Sequence, residues 1–207
     1  MKLKNYNDAF FKYLNSGSSK SAELIIPLIL DQLSIQSVLD VGCGQGAWLS
    51  IWKKYGVKNI FGIDGNYVNN LLIDEQYFLP HNLDNAFDLE SKFDLVQCLE
   101  VVEHLPKDKS RIIIESLIRH GDVVLFSAAT KGQGGDNHIN EQSYEYWRSI
   151  FSEYDYVPID FIRPIISNIN GIEPWYSYNI ILYVSADYLC NLPQSIKDCI
   201  VPEGQKY

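Results

Sequence analysis

The sequence predicts an α/β fold built around parallel strands, and two adjoining segments carry that prediction. Residues 38–41 form a short apolar run of the kind that buried parallel strands show. Gly42, Gly44 and Gly46 follow, and residues 47–55 then repeat apolar side chains at helical spacing. In such a strand, loop and helix a ligand can lie against bare backbone, because the loop lacks side chains and the helix begins with free N–H groups.

Two acids narrow the kind of ligand that this loop is expected to bind. Asp40 stands just before the first glycine, unlike the spacing of a dinucleotide-binding loop, and suits an ammonium group better than a pyrophosphate. The next predicted strand, residues 59–64, ends in Asp64, roughly 20 residues after the loop, where an acid can accept both hydroxyls of a ribose. A turn or N-cap aspartate is the alternative at Asp64, and ribose binding is favoured. Further strands are predicted at residues 76–79, 93–99 and 122–127, with C-terminal apolar runs at 156–162 and 179–184 closing the sheet.

With these residues the sequence resembles the class I S-adenosylmethionine-dependent methyltransferases. Residues 38–46 are similar to the family's glycine-loop motif, and residues 93–106 are similar to its fourth-strand motif. The resemblance covers roughly residues 20–185. It implies a Rossmann-like three-layer α/β/α sandwich with a seven-stranded, mostly parallel sheet and an antiparallel C-terminal hairpin. It also implies an enzyme that transfers a methyl group from S-adenosylmethionine.

The resemblance assigns a set of cofactor-binding residues to this chain. Asn82 and Leu83 occupy positions where related enzymes usually place Asp-Leu, so Asn82 would bond the adenine amino group through its amide oxygen and Leu83 would offer a backbone N–H. The complete set is Asp40, Gly42, Gly44, Gly46, Asp64, Asn82, Leu83 and Leu99.

A second group of side chains is expected to act on the methyl acceptor. Glu100, Glu103 and His104 lie within one turn after strand four, and His138 lies in a glycine-rich loop after strand five. Because the carboxyl ends of neighbouring parallel strands meet at one edge of a sheet, these four side chains can converge. Such a mixed set suits Mg²⁺, Mn²⁺, Fe²⁺ or Zn²⁺, an ion that lowers the pKa of a bound hydroxyl and orients it.

The Glu-x-x-Glu-His pattern looks like that of metal-dependent small-RNA 2'-O-methyltransferases and of ubiquinone-pathway O-methyltransferases. The resemblance implies Glu100, Glu103, His104 and His138 as metal ligands. Two alternatives stay open. The motif also occurs in relatives without a known metal, where Glu100 lies near the methionine end of the cofactor and Glu103 and His104 are structural. The second alternative is direct general-base catalysis by His104 or His138, because the pKa of an imidazole lies near neutral pH. The predicted catalytic residues are His104, His138 and Glu103.

The chain of 207 residues is predicted to be a single methyltransferase domain, residues 1–207. Residues 1–20 form either an N-terminal lid over the cofactor, with aromatic side chains, or a surface helix, and residues 186–207 form a C-terminal tail. Residues 15–19 indicate a loop before a helix over residues 21–33. Residues 172–176 are expected to form a loop beside the acceptor. The lid aromatics are Tyr6, Phe10, Phe11 and Tyr13.

Bulk properties bear on partners and location. The net charge is −9 and no cluster of Lys and Arg is present, which favours a small-molecule acceptor over nucleic acid. No apolar run has the length of a membrane helix and the N-terminus lacks a signal-peptide core, so we expect a cytoplasmic protein without a membrane partner. The four cysteines show no metal-type spacing. A homodimer is left open.

The glycine-rich loop, residues 132–142, looks similar to one in bacterial methyltransferases of surface-polysaccharide and natural-product pathways. That resemblance implies O-methylation of a sugar hydroxyl or a phosphate-like group on a capsule polysaccharide precursor. N-methylation and methylation of a macromolecule are the alternatives among enzymes. A cofactor-binding but inactive partner subunit is the alternative outside them.

Overall fold

A computed structural model describes the backbone of residues 8–205 and the side chains of residues 16–205. One seven-stranded sheet has the strand order β3-β2-β1-β4-β5-β7-β6. The strands are β1 Ser37–Val41, β2 Asn59–Asp64, β3 Phe78–Pro80, β4 Leu95–Leu99, β5 Val123–Ser127, β6 Tyr156–Ile159 and β7 Ile181–Ser185. The first five strands are parallel, and β7 lies antiparallel to both β5 and β6. The predicted mostly parallel sheet with an antiparallel C-terminal pair is confirmed.

Helices cover both faces of the sheet. They are α1 Asp8–Leu30, α2 Ala47–Lys54, α3 Ser110–His120, α4 Tyr144–Ser152, α5 Ile162–Ile166, α6 Pro174–Asn179 and α7 Gln194–Lys197. Alternate residues of β5 pack on opposite sides: Val123 and Leu125 join the cluster with α1 and α2, whereas Val124 and Phe126 join the cluster with α3 and α4. This alternation places two apolar cores around one sheet and confirms the three layers. Within the described part of the chain, no helix combines the length and apolar character that crossing a membrane requires.

The predicted loop at residues 15–19 is wrong, because α1 continues through these residues without a break. Gly17 lies against α6's first turn, where an added Cβ would be 2.1 Å from Glu173 Oε1. The Ser21 hydroxyl donates to the Gly17 carbonyl and accepts from the Glu173 N–H. The small polar residues therefore mark a close helix contact. The predicted lid aromatics lie outside the residues whose side chains the structure describes.

The expected loop at residues 172–176 is also partly wrong, because Pro174 begins the helix α6. Proline is favoured in the first turn of a helix, where its missing N–H would have no partner. Residues 200 and 201 of the C-terminal tail pair with β6: Ile200 bridges Ile159, and the Val201 N–H donates to the Pro158 carbonyl. The tail thus covers the outer edge of β6, which would otherwise expose unpaired backbone groups.

The buried His120 at the end of α3 offers a test of this packing. Its Nε2 accepts from the Leu89 N–H at 2.9 Å, its Nδ1 bonds the Ser116 carbonyl, and its ring stacks on Phe87 at 5.0 Å. Burial lowers the pKa of His120, so the folded protein holds it neutral.

We expect His120→Leu to lower the free energy of unfolding by about 2–3 kcal/mol at pH 8, since the Leu89 N–H loses its acceptor. The gap from wild type should narrow as the pH falls from 7 to 5, because the lowered pKa makes the unfolded wild type take up a proton at this position at a higher pH than the folded protein does. Urea denaturation across that range measures both effects, with Glu145→Gln at an exposed position of α4 as control. A gap that stays constant with pH would contradict the assignment.

Candidate functional site

The glycine loop after β1 adopts a conformation that needs glycine. Gly42, Gly44 and Gly46 have φ values of +80°, +54° and +85°. An added Cβ at Gly42 would lie 2.2 Å from Val101 Cγ2, whereas at Gly44 it would meet nothing within 4 Å. The bare backbone at Gly44 therefore borders open space in which a ligand can approach the loop.

An irregular segment, residues 66–73, takes the place of a helix between β2 and β3 and folds over this loop. The Gln45 side chain donates to the Asn69 carbonyl at 2.6 Å, and the Leu72 N–H donates to the Gln45 carbonyl at 2.8 Å. Ile73 covers Gly46, where an added Cβ would be 3.1 Å from its Cγ1. Residues 66–73 therefore hold the glycine loop in place through these contacts.

Asp64 ends β2 and joins the loop to this segment. Its Oδ2 accepts from the Gly44 N–H at 2.7 Å, and its Oδ1 accepts from the Gly65 N–H at 2.6 Å and from the Tyr67 hydroxyl at 2.7 Å. Burial raises the pKa of Asp64, and the three donors oppose that rise. The Tyr67 side chain, 45 % exposed, thus contacts the carboxylate that the sequence assigns to a ribose.

Asp40 lies beneath the glycine loop in the centre of the sheet. It is 3 % exposed and faces Gln97 of β4 in the strand register. Gln97 in turn accepts a hydrogen bond from Trp52 Nε1 at 2.8 Å. Burial raises the pKa of Asp40 to about 8, and the nearby charge of Asp64 also raises it. A cationic ligand at this place would favour the ionised form.

The other predicted cofactor residues occupy mixed surroundings. The Asn82 side-chain oxygen accepts from the Asp84 N–H at 3.2 Å, within an exposed turn. Leu83 and Leu99 are buried, 7 % and 8 % exposed. The adenine contacts of Asn82 and Leu83 stay predictions.

Glu103, His104 and His138 converge at the carboxyl edge of the sheet, as the sequence predicted. One nitrogen or oxygen atom from each lies within 4.8 Å of the others. The rings of His104 and His138 are 4.9 Å apart between centroids and nearly perpendicular, at 83°. Two backbone hydrogen bonds bring the loop to the turn after β4: the Ile139 and Asn140 N–H groups both donate to the Glu103 carbonyl, at 2.9 and 3.0 Å.

The Glu103 carboxylate is fully buried and only partly satisfied. Its Oε1 accepts from the Ala129 N–H at 3.3 Å, no N–H group among the described residues donates to its Oε2, and the neighbouring Glu100 carboxyl is its side-chain hydrogen-bond partner. Burial raises the pKa of Glu103 well above its usual range, and Glu100 adds to that rise. Burial, with the neighbouring His138, lowers the pKa of His104, so this imidazole is neutral at pH 7.

Each imidazole has a partner on its outer side. The His104 ring bonds the Asn137 backbone, and His138 Nδ1 bonds Glu141 Oε1 at 3.0 Å. Glu141 also accepts from the N–H groups of Gly132 and Gly134, at 2.8 and 2.7 Å. His138 and these donors lower the pKa of Glu141.

Glu100, the fourth predicted ligand, is turned toward α6 and is not part of the three-residue cluster. Its backbone is left-handed, with φ +56°, and its Oε1 accepts from Asn179 Nδ2 at 3.1 Å. Asn179 also donates to Gln133 Oε1 at 3.0 Å and accepts from the Tyr144 hydroxyl at 3.2 Å. Sequence reasoning did not identify Asn179, and although Glu141 lies in the glycine-rich loop of residues 132–142, no pattern there predicted its contacts.

The strand order, the glycine loop after β1 and the acid at the end of β2 define the Rossmann-like fold of class I methyltransferases. A family model described as a methyltransferase domain matches residues 7–161. The chain belongs to this methyltransferase family, which confirms the class that the sequence predicted.

Curated relatives are similar over part of the chain. A protein from Neisseria meningitidis serogroup C (strain 053442), named ubiquinone biosynthesis O-methyltransferase, is 30 % identical over 142 residues, covering 60 % of this chain and 59 % of the relative. A protein of the same name from Coxiella burnetii (strain Dugway 5J108-111) is 32 % identical over 136 residues, with 56 % of each chain covered. The chain thus spans less than two thirds of the length of these relatives.

Solved structures share the fold at low identity. The magnesium protoporphyrin IX methyltransferase of Synechocystis PCC 6803, crystallised with bound SAM, has a TM-score of 0.59 at 18 % identity, covering 89 % of this chain and 87 % of that one. The methyltransferase domain of bacterial CtHen1 has a TM-score of 0.58 at 16 % identity, covering 82 % and 98 %.

The raised pKa of Asp40 predicts an unusual pH dependence of stability. The folded state holds this proton up to about pH 8, whereas the unfolded chain releases it near 3.8, so the wild type loses stability as the pH rises between these values. Asp40→Asn should gain roughly 3–4 kcal/mol relative to wild type between pH 5 and pH 8. Urea denaturation measures the gain, and the exposed Asp108→Asn should show none. Parallel pH profiles for Asp40→Asn and wild type would contradict the burial of an uncharged Asp40.

Proposed function

We propose that the protein transfers a methyl group from S-adenosylmethionine to a hydroxyl oxygen of a small acceptor, with a divalent cation at the Glu103–His104–His138 cluster. One observation carries this proposal: the fully buried carboxyl group of Glu103, to whose Oε2 no N–H group among the described residues donates, places an oxygen within 4.8 Å of a nitrogen of His104 and of His138. A cation is the partner that such a donor set accepts. Oxygen as the methyl acceptor is supported by the O-methyltransferase name of the relatives.

The residues around the glycine loop fit S-adenosylmethionine. Open space at Gly44 admits the ligand, and Asp40, once ionised, can pair with the ammonium group of its methionine part. Asp64 can accept the ribose hydroxyls if the Tyr67 hydroxyl leaves its Oδ1. When bound, S-adenosylmethionine supplies a methyl group activated by its sulfonium.

The cluster fits a cation such as Mg²⁺ or Mn²⁺. Glu103, His104 and His138 would hold it, and such an ion orients an acceptor hydroxyl and makes it more acidic. An ionised Glu103 without a partner would carry the free-energy cost of a buried charge. Pairing with a cation would offset that cost. The outer partners of both histidines keep the rings oriented toward the shared space.

Methyl transfer is an in-line displacement in which a C–O bond forms as the C–S bond breaks. The proton of the acceptor hydroxyl must leave, and the chain must hold the oxygen in line with the methyl group. A metal-free version of the same site stands as the second candidate, since neutral His104 could take this proton directly. Both versions need the cluster.

Two acceptor classes follow from the proposal. A molecule with two neighbouring oxygens, such as the diol of a sugar or a phosphate-like group, can bind a cation through both, and a capsule precursor stays our first acceptor to test. The relatives' name adds intermediates of ubiquinone biosynthesis. The net charge of −9 disfavours nucleic acid.

We expect His104→Ala and His138→Ala each to reduce methyl transfer at least about 100-fold, because either change opens the cluster, while affinity for S-adenosylhomocysteine stays within about two-fold. Calorimetry and a methyl-transfer assay over the acceptor panel provide the two readouts. His81→Ala, outside the cluster, should change neither. Full turnover in both cluster variants would exclude this site as the reaction centre.

A further inference from the structure

The glycine-rich loop is organised around Glu141, a residue with no predicted role in catalysis, cofactor binding or metal binding. Its carboxylate is 19 % exposed and accepts three hydrogen bonds within the loop. Two come from the Gly132 and Gly134 N–H groups, and the third comes from His138 Nδ1 at 3.0 Å. The side chain therefore fixes the loop backbone and the histidine together.

This arrangement decides which nitrogen of His138 carries the proton. Neutral imidazole has one N–H and one lone pair, and the partner of one nitrogen sets the role of the other. An ionised Glu141 can only accept, so Nδ1 must donate to it. Nε2 is then the nitrogen with the lone pair.

Gly135 keeps that second nitrogen accessible. A Cβ at this position would lie 2.3 Å from His138 Nε2, so any side chain here would cover Nε2 or displace the ring. By contrast, an added Cβ at Gly134 meets nothing within 4 Å. Only one of these two neighbouring glycines is therefore required by the histidine.

We propose that Glu141 is a positioning residue that holds His138 as its Nδ1–H tautomer, so that Nε2 presents its lone pair at the cluster. The consequence for cation binding rests on the proposed function, whereas the tautomer does not. Carboxylates that orient a ligating histidine typically affect metal affinity by 10–100-fold when removed.

The first test reads the tautomer in metal-free protein by long-range ¹H–¹⁵N NMR. The chain has four histidines, so the signals can be assigned by single substitutions. Wild type should show His138 with its proton on Nδ1, and Glu141→Ala should shift it toward the Nε2–H form. Glu141→Gln should restore the Nδ1–H form at least in part, because its side-chain oxygen can still accept. A wild-type Nε2–H tautomer, or an unchanged tautomer in Glu141→Ala, would overturn the proposal.

The second test titrates Mn²⁺ into the same proteins. Glu141→Ala should bind Mn²⁺ about 10–100-fold more weakly than wild type, with affinity for S-adenosylhomocysteine unchanged. Glu145→Ala, at an exposed position of α4, is the matched control and should bind like wild type.

The outcomes separate the two proposals. If wild type takes up no Mn²⁺, the cation of the proposed function fails, and the tautomer measurement alone decides the role of Glu141. If wild type binds Mn²⁺ and Glu141→Ala binds it equally well with the tautomer unchanged, the positioning role fails and the proposed function stands.

Discussion

The site depends on one backbone connection between two strands of the sheet. The Ile139 and Asn140 N–H groups both donate to the Glu103 carbonyl, which joins the loop after β5 to the turn after β4. Asn140 reinforces the joint, because its buried side chain donates to the Val102 carbonyl and to Ser110 Oγ, each at 3.2 Å. Because glycine adds conformational freedom, a loop with three glycines would hold His138 beside His104 less firmly without this joint.

The carboxyl group of Glu103 is tolerated at its buried position because it is uncharged in the protein without a ligand. Burial raises its pKa well above the usual range, so the group keeps its proton. The same burial makes the group a strong partner for a cation, because an ion pair gains most where water is excluded. Asp40, which lies under the glycine loop, is likewise a buried carboxyl group whose pKa is raised by burial.

The sequence was most informative where local geometry dictates residue type. Gly42 was predictable because its positive φ and its contact with Val101 exclude a side chain. β2 was predicted with the observed bounds because its apolar residues Ile60, Phe61 and Ile63 form a short run that ends in an acid. Gly17 contributed to the wrong prediction of a loop, because its small size allows a close contact between α1 and Glu173, which lies far away in the sequence. Asn179 was missed for the same reason: it bonds Glu100 across 79 positions, and no local pattern reports such a contact.

The most direct test of the account is a calorimetric titration of metal-stripped protein with S-adenosylhomocysteine, followed by a titration of that complex with Mn²⁺. We expect S-adenosylhomocysteine to bind without metal, and one Mn²⁺ per chain then to bind to wild type and not to Glu103→Gln. Cofactor binding with no stoichiometric uptake of Mn²⁺ would contradict the cation at Glu103, His104 and His138. Absence of S-adenosylhomocysteine binding would contradict the role given to the glycine loop itself.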